Sequence, residues 1–279
     1  MKREHDLRQR LRSLEALGAA VTAMKSLSAH HFREARAGLQ AMRGYRDGVG
    51  RVVVEIGASL PAGDGPSGLL VIGSELGLCG GYNAHLVAAA AERRAQLGAG
   101  PTLCVGRRAA AYLGRRDIHV ERAYPAPASV QGITDLLLRL AQDMLADYVA
   151  RRMACFEVVS SRFEGVGADR PTTTRLLPIA ADRSKAPVPT RYASRDRLVG
   201  VAVREILFVT MYSLLLEALA SEHGVRLAAT ESAEQWLDGR TEHIRRHLAA
   251  WRREASTQET IEIATGARAR GRARGEVAR

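Results

Sequence analysis

Proline is missing from Leu198 to Gly266 and again from Met1 to about Ile56, so nothing in either stretch forces a helix to stop. Aromatic residues are scarce, at 5%, although 46% of the chain is apolar. The interior is therefore built mainly from Ala, Leu and Val, a bias that suits long helices. Cysteine is scarce too. Cys79, Cys104 and Cys155 stand far apart, which excludes a disulfide framework and a paired metal-ligand pattern and fits a reducing compartment. Acidic residues fall short of basic ones, 30 against 41, leaving a net charge of +11. Part of that excess follows Ala267, where Arg268, Arg270, Arg272, Arg274 and Arg279 face a single Glu276. A basic balance predicts an acidic partner, whether nucleic acid, anionic lipid or an acidic protein surface. No apolar signal core opens the chain, and Glu4 and Asp6 argue against a transit peptide. The most apolar run, Ile206 to Ala220, reads as too short for a bilayer and contains Glu217. A soluble protein with no transmembrane segment of its own is expected.

The two proline-free ends carry heptads. Leu7, Leu11, Leu14, Gly18, Val21, Lys25, Ser28, Phe32, Ala35, Leu39 and Met42 recur at alternating steps of four and three, which is an a/d seam. Gly18, Lys25 and Ser28 weaken its middle. Some fifty helical residues make a rod of roughly 75 Å, longer than a compact domain of this size needs internally. Near the other end, Leu207, Met211, Leu214, Ala218, Ser221, Val225, Ala228, Ser232 and Gln235 keep the same rhythm. The phase is expected to fail near Gly239 and to resume as Ile244, Leu248, Trp251 and Ala255. Beyond Ala267 the Arg-Gly repeat should fray.

Between the ends lies an α/β pattern. Gly57 to Gly68 is rich in Gly and Pro and ends the first helix. Gly68 to Ser74 reads as a buried strand, Gly77 to Gly81 as a glycine turn, and Asn83 to about Leu97 as a helix. A strand over Thr102–Val105, a short helix near Arg108 to Leu113, a strand over Ile118 to Ala123 and an amphipathic helix over Gln131 to Arg152 follow. Phe156 to Ser161 and Thr172 to Ile179 read as a hairpin turning near Gly165 and Gly167. The alternation implies a mostly parallel sheet with an antiparallel edge. Ala180 to Pro189 reads as a linker.

Chemistry is thinly signposted. A strand, a glycine turn and a helix N-terminus can cradle phosphate. Yet Gly77-Leu-Cys-Gly-Gly81 is not G-x-G-x-x-G, and no acidic strand end follows at the right distance. The turn reads as structural first and as a phosphate site of an α/β enzyme second. Cys79 could be activated by the helix N-terminus, but only His85 lies near it and no orienting group completes the set. His243 and His247 stand four apart and lack a third zinc ligand, while Arg245 and Arg246 beside them disfavour a cation. His30-His31 and His223 lie in the long helices without an i, i+4 histidine partner. The arginine tail permits a basic coiled-coil nucleic-acid binder, but no base-reading motif accompanies it.

Three segments carry a family resemblance. The first holds Arg12-Ser13, Thr22, Ala23-Met24-Lys25, Arg33 and Ala35 on one helix. The second is Leu78-Cys79-Gly80-Gly81-Tyr82-Asn83, preceded by Ser74. The third is Ser221-Glu222-His223 with Arg226 and Ala233, followed by Thr257-Gln258-Glu259, Glu262-Ile263 and Gly266-Ala267. In this order they resemble the gamma subunits of F-type ATP synthases, the central rotor shaft. The resemblance implies an antiparallel, left-handed coiled coil of terminal helices with a Rossmann-like α/β domain between them. It divides the chain into a helix over 1–57, an α/β domain over 68–180, a helix over 192–267 and a disordered basic tail over 268–279. It implies that the coiled coil stands on the axis of a ring of alpha and beta subunits, with the α/β domain on a ring of membrane c subunits beside the epsilon subunit. It places the chain as a peripheral subunit on the cytoplasmic face of a bacterial plasma membrane. It implies no catalytic residue, no metal, no cofactor and no nucleic-acid partner for this chain. By matching position, Met24 and Lys25 fall near the moving lever of the beta subunit, and Arg252, Thr257, Gln258 and Glu259 in the upper shaft. Gly77, Cys79, Gly80, Gly81, Asn83, Ser221, Glu222 and His223 are the structural signature.

Departures accompany the likeness. Glu75-Leu76 stand where the family has an Asp-Arg pair, Glu15-Ala16-Leu17 where it has Asn-Thr-Gln, and Ser256 where an Ile precedes the Thr. They suggest the alternative, sodium-linked bacterial branch, with the coupling ion, proton or sodium, left open. The cysteine-bearing insert of chloroplast versions is not seen.

Overall fold

The computed structural model describes the backbone of residues 2–180 and 194–277 and the side chains of residues 4–180 and 194–266. The linker expected from Ala180 to Pro189 falls outside these residues from 181 onward. The order is α1 (Lys2–Glu55), β1 (Gly65–Ile72), α2 (Tyr82–Leu97), β2 (Thr102–Val105), α3 (Arg107–Gly114) and β3 (Arg122–Tyr124). A 3₁₀ turn (Val130–Gly132), α4 (Ile133–Ala150), β4 (Met153–Gly165), β5 (Ala168–Leu177) and α5 (Arg195–Val277) follow. The proline-free ends are thus single helices of 54 and 83 residues. The α5 backbone continues past Ala267, where fraying is expected. Arg and Ala are strong helix formers, and Gly271 and Gly275 cost only about 1 kcal/mol each against Ala.

The chain forms two compact units, Met1–Met24 with Glu231–Arg279, and Lys25–Thr230. In the first, α1 and α5 pair antiparallel. Thr22 donates to Glu234 at 2.8 Å, and Arg245 and Arg252 donate to Glu15 and Glu4 at 2.8 and 3.3 Å. The seam is lined by Val21, Leu237, Thr241, Ile244 and Leu248, all buried. On α1, every heptad position named above in this unit is at least half-buried. On α5 the expected phase is corrected. Ser232, Gln235 and Ala255 are exposed. Burial runs instead through Thr230, Glu234, Leu237, Thr241, Ile244, Leu248 and Trp251, unbroken at Gly239, which faces open space.

The second unit holds a five-stranded sheet, ordered β3-β2-β1-β4-β5. All pairs are parallel except β4–β5. Successive residues of β1 face opposite layers. Leu70 and Ile72 join Leu103, Val105, Phe156 and Val158 under α4 and α5, while Leu69 and Val71 join Cys104 and Val159 under α2 and α3. A sheet covered on both faces explains the unbroken apolar run of β1. The hairpin turns at Gly165 and Gly167 as expected, and Gly167 has φ 81°. The third strand is shorter than expected. Ile118 and Val120 pack on the α2/α3 side from a loop, and only Arg122–Tyr124 pairs with β2. By length and composition alone α5 is long and apolar enough to cross a membrane, contrary to the estimate from the apolar run alone. Its apolar stretch instead covers the sheet, with Leu207, Met211, Leu215 and Leu219 buried there. In this unit too, α1 and α5 run antiparallel, with His31 beside His223 and Tyr45 donating to Glu205 at 2.5 Å.

Candidate functional site: the glycine turn and its arginine latch

The turn after β1 is tied by its own side chains. Asn83, in the first turn of α2, accepts from the Ser74 amide at 3.1 Å and donates to the Ser74 hydroxyl at 2.7 Å. That hydroxyl donates in turn to the Leu76 carbonyl at 2.9 Å. Leu78 and Gly80 take left-handed φ of 60° and 51°, a conformation that favours glycine at the second position. Cys79 is buried within this net, 3.6 Å from the Ser74 hydroxyl, and burial pushes its thiol up. A thiol held in its neutral form is packing, not a nucleophile. His85, its neighbour in sequence, bonds to Asp169 at 3.0 Å.

The turn is latched from α5. Arg226 is 1% exposed and is among the largest fully buried side chains described. Its Nε donates to the Gly77 carbonyl at 3.0 Å and its Nη2 to the Leu76 carbonyl at 3.3 Å. Nη2 also meets Glu222 Oε1 at 2.5 Å, one helical turn back, and Nη1 lies 3.3 Å from His223 Nδ1. Burial and then the Arg226 charge push His223 down to about 3, so its ring is neutral. Burial raises the Glu222 carboxyl while Arg226 opposes the rise. One turn further back, the Ala218 carbonyl accepts from buried Tyr82 at 3.4 Å. Ser221 is fully buried and its hydroxyl has no partner among the described residues.

This latch lies at the carboxyl ends of the parallel strands, where open α/β sheets bind ligands at the switch in strand order. Here β1 sits between β2 and β4, the switch point. The space bounded by Ile72, Gly73, Val105, Ala126, Leu215, Ala218 and Glu222 measures about 10 Å³. That is room for about one water. Glu75 closes the rim, accepting from the amides of Arg107 and Ala126 at 3.1 Å each and from the Arg107 guanidinium. The helix therefore occupies the crevice a nucleotide would need, and the phosphate reading of Gly77–Gly81 loses its site.

The remaining residues marked in the sequence do not converge. Met24 and Lys25 are half-buried on α1, whereas Arg252, Thr257, Gln258 and Glu259 are exposed on α5. Thr257 donates to the Arg253 carbonyl at 2.9 Å and Gln258 to Glu262 at 3.4 Å, both within the helix. The rings of His243 and His247 stand 4.5 Å apart, without a third metal-ligating group among the described residues. Sequence reasoning undervalued Arg226 and Glu75. The i, i+4 spacing of Glu222 and Arg226 was the available signal, but nothing in it shows that the pair is buried.

A filled switch point and antiparallel terminal helices define an α/β protein whose sheet is covered by its own C-terminal helix. A family model described as ATP synthase matches residues 3–269, and the chain belongs to that family. Among its relatives, the ATP synthase gamma chain of Moorella thermoacetica is 29% identical over 287 residues, covering 96% of this chain and 99% of the relative. That of Geotalea daltonii is 28% identical over 278 residues, covering 94% and 96%. Among solved structures, a chain of the Euglena gracilis mitochondrial ATP synthase (OSCP/F1/c-ring, rotational state 3) superposes with a TM-score of 0.67 at 13% identity, over 96% of this chain and 94% of that one. A chain of the Tetrahymena thermophila mitochondrial ATP synthase central stalk and c-ring gives 0.60 at 18% identity, over 77% and 99%. Those two likenesses concern the fold.

Proposed function

We propose that the chain is the central-stalk rotor subunit of a membrane-bound F-type ATP synthase or ATPase. It passes torque between an ion-driven ring of c subunits and the catalytic beta subunits. It catalyses nothing itself. The observation that carries this reading is the antiparallel pairing of α1 with α5 through Glu4–Arg252, Glu15–Arg245 and Thr22–Glu234, in a chain whose family match runs from residue 3 to residue 269. A pair of helices locked along a seam resists bending and twisting better than one helix. Torque is a coupling between distant sites through an element with discrete positions. The exposed positions of both helices are rich in charge, as a surface that must turn inside a sleeve requires.

The working parts follow from the same reading. The terminal helices over 1–57 and 192–267 form the axle, and the α/β domain over 68–180 seats it on the c ring beside the epsilon subunit. Alpha and beta subunits surround the axle. Met24 and Lys25 meet the beta-subunit lever, and Arg252, Thr257, Gln258 and Glu259 make polar contacts higher up. The assembly sits at the cytoplasmic face of a bacterial plasma membrane.

The test is a truncation. The complex is assembled with a chain lacking Gln258 to Arg279 and incorporated into vesicles, and ATP hydrolysis is compared with ion uptake. Hydrolysis that continues while uptake falls at least several-fold, in a chain with unchanged helix content, is expected. Wild-type coupling after this loss would defeat the reading.

A further inference from the structure

One side-chain cluster lies outside the latch and has no part in the rotor reading. His30, His31 and Glu34 stand on one face of α1, with one ligand atom of each lying within 4.8 Å of the others. Glu34 Oε2 is 3.2 Å from His31 Nδ1 and 3.5 Å from His30 Nε2. A tetrahedral zinc ion bound at about 2.05 Å by nitrogen and oxygen sets its ligands about 3.4 Å apart. Both distances to the carboxylate oxygen are already at that spacing.

We infer that His30, His31 and Glu34 form a binding site for a divalent transition cation of the zinc class, with three protein ligands and a fourth position open to solvent. Two imidazoles and one carboxylate are a donor set that zinc accepts where one position is kept for water. The surroundings fit the donors. The other carboxylate oxygen of Glu34 accepts from Gln131 Nε2 at 3.4 Å, which orients the group and leaves Oε2 for the ion. Two arginines of this region are engaged elsewhere. Arg36 stacks over Phe32 and Phe163, and Arg226 is bonded to Glu222. His31 is largely buried at 13% side-chain exposure, and His30 at 58% gives the ion a way in.

Occupancy has a structural consequence. Through Glu34 and its bond from Gln131 the ion would tie α1 to the 3₁₀ turn that precedes α4. A ligand that binds only the folded chain raises its stability in proportion to the logarithm of its concentration over Kd.

The full-length chain, stripped of metal, is titrated with zinc chloride by calorimetry and with cobalt chloride by visible absorption. A first equivalent with the intense d–d bands of four-coordinate cobalt, and a thermal midpoint that rises with zinc, are expected. His30→Gln changes an exposed side chain and is expected to keep the wild-type circular dichroism while weakening the first equivalent at least tenfold. Glu34→Gln should do the same. A double His243→Ala, His247→Ala variant should leave that equivalent unchanged. The inference is overturned if His30→Gln and Glu34→Gln bind zinc as the wild type does. It is equally overturned if the first equivalent disappears with the His243/His247 pair, or if cobalt shows only the weak bands of an octahedral aqua ion.

Discussion

Arg226 on α5 grips the backbone of the glycine turn, its Nε donating to the Gly77 carbonyl at 3.0 Å while its Nη2 holds Glu222 at 2.5 Å. One buried guanidinium thereby satisfies a loop carbonyl and a buried carboxylate together. Replacing it with Met would fill the volume but leave the buried Glu222 carboxyl and the carbonyls of Gly77 and Leu76 without their donor. Breaking such a pair costs about 3–5 kcal/mol. The Arg226→Met chain should lose that much in urea unfolding. Arg226→Lys should recover only part of it, because an ammonium cannot reproduce the planar fork. A loss below about 1 kcal/mol for Arg226→Met would mean the turn is held by other contacts.

His223 makes stability depend on pH in a definable window. Burial first, then Arg226, push its folded value down to about 3, against an ordinary value near 6.5. The unfolded chain takes up the proton first. The stability conferred by the neutral ring is therefore complete above about pH 6.5 and declines as pH falls from there toward 3. His223→Gln removes this titration. Its thermal midpoint should vary less than that of the wild type between pH 6.5 and 4. Parallel profiles for the two chains would show that the ring is not buried in its neutral form.

These two residues also mark how far the sequence could be read. The terminal helices were legible because proline is absent and apolar side chains recur at heptad steps. On α1 that pattern located the buried face from Leu7 to Met42. On α5 it slipped, because two seam positions are threonines. Thr230 is fully buried with its hydroxyl returned to the Arg226 carbonyl at 2.8 Å, so it packs as an apolar residue would while reading as polar. Gly239 looked like a break and is an exposed outer position. The glycine turn was legible as a turn. The role of Arg226 was not, since its carbonyl partners lie some 150 residues away, at separations of 149 and 150. Glu75 appeared only as a departure from the family pattern, and its acceptor role depends on amides of Arg107 and Ala126 that the fold brings to it.

Two glycines with positive φ separate conformational strain from collision. Gly80 has φ 51°, and a Cβ there would meet nothing closer than Val225 Cγ1 at 3.9 Å. Gly106 has φ 97°, and a Cβ there would lie 2.5 Å from the Ser74 carbonyl oxygen. Gly80→Ala should cost about 1–2 kcal/mol, the price of a left-handed residue. Gly106→Ala must also displace backbone at the strand ends, and roughly 3 kcal/mol or more is expected. Urea unfolding of the two variants side by side checks the ranking, and equal losses would refute the close approach at Gly106.

Glu157 on β4 is 2% exposed and carries two arginines of unequal importance. Arg93 on α2 binds it twice, through Nε at 2.5 Å and Nη2 at 2.7 Å, while Arg175 on β5 reaches it once at 3.1 Å. Arg93 is 26% exposed and Arg175 60%, so the first bond pair is sheltered and the second is washed by solvent. Arg93→Ala should therefore cost about 3 kcal/mol, at the lower end of the range for a broken buried pair because Arg175 remains. Arg175→Ala should cost less than about 1 kcal/mol. The sign of the pH effect follows from the carboxylate. Its hydrogen bonds, from Arg93 above all, hold it below its ordinary value of 4.5, so the stability it confers is complete above that pH and is lost as pH falls through the lowered folded value. The gap between the wild type and Arg93→Ala should thus be full at pH 7 and shrink as pH falls below 4.5 through the lowered folded value of the wild type. A gap that persists unchanged in acid would assign the loss to the packing of the Arg93 stem along α2 and not to its charge.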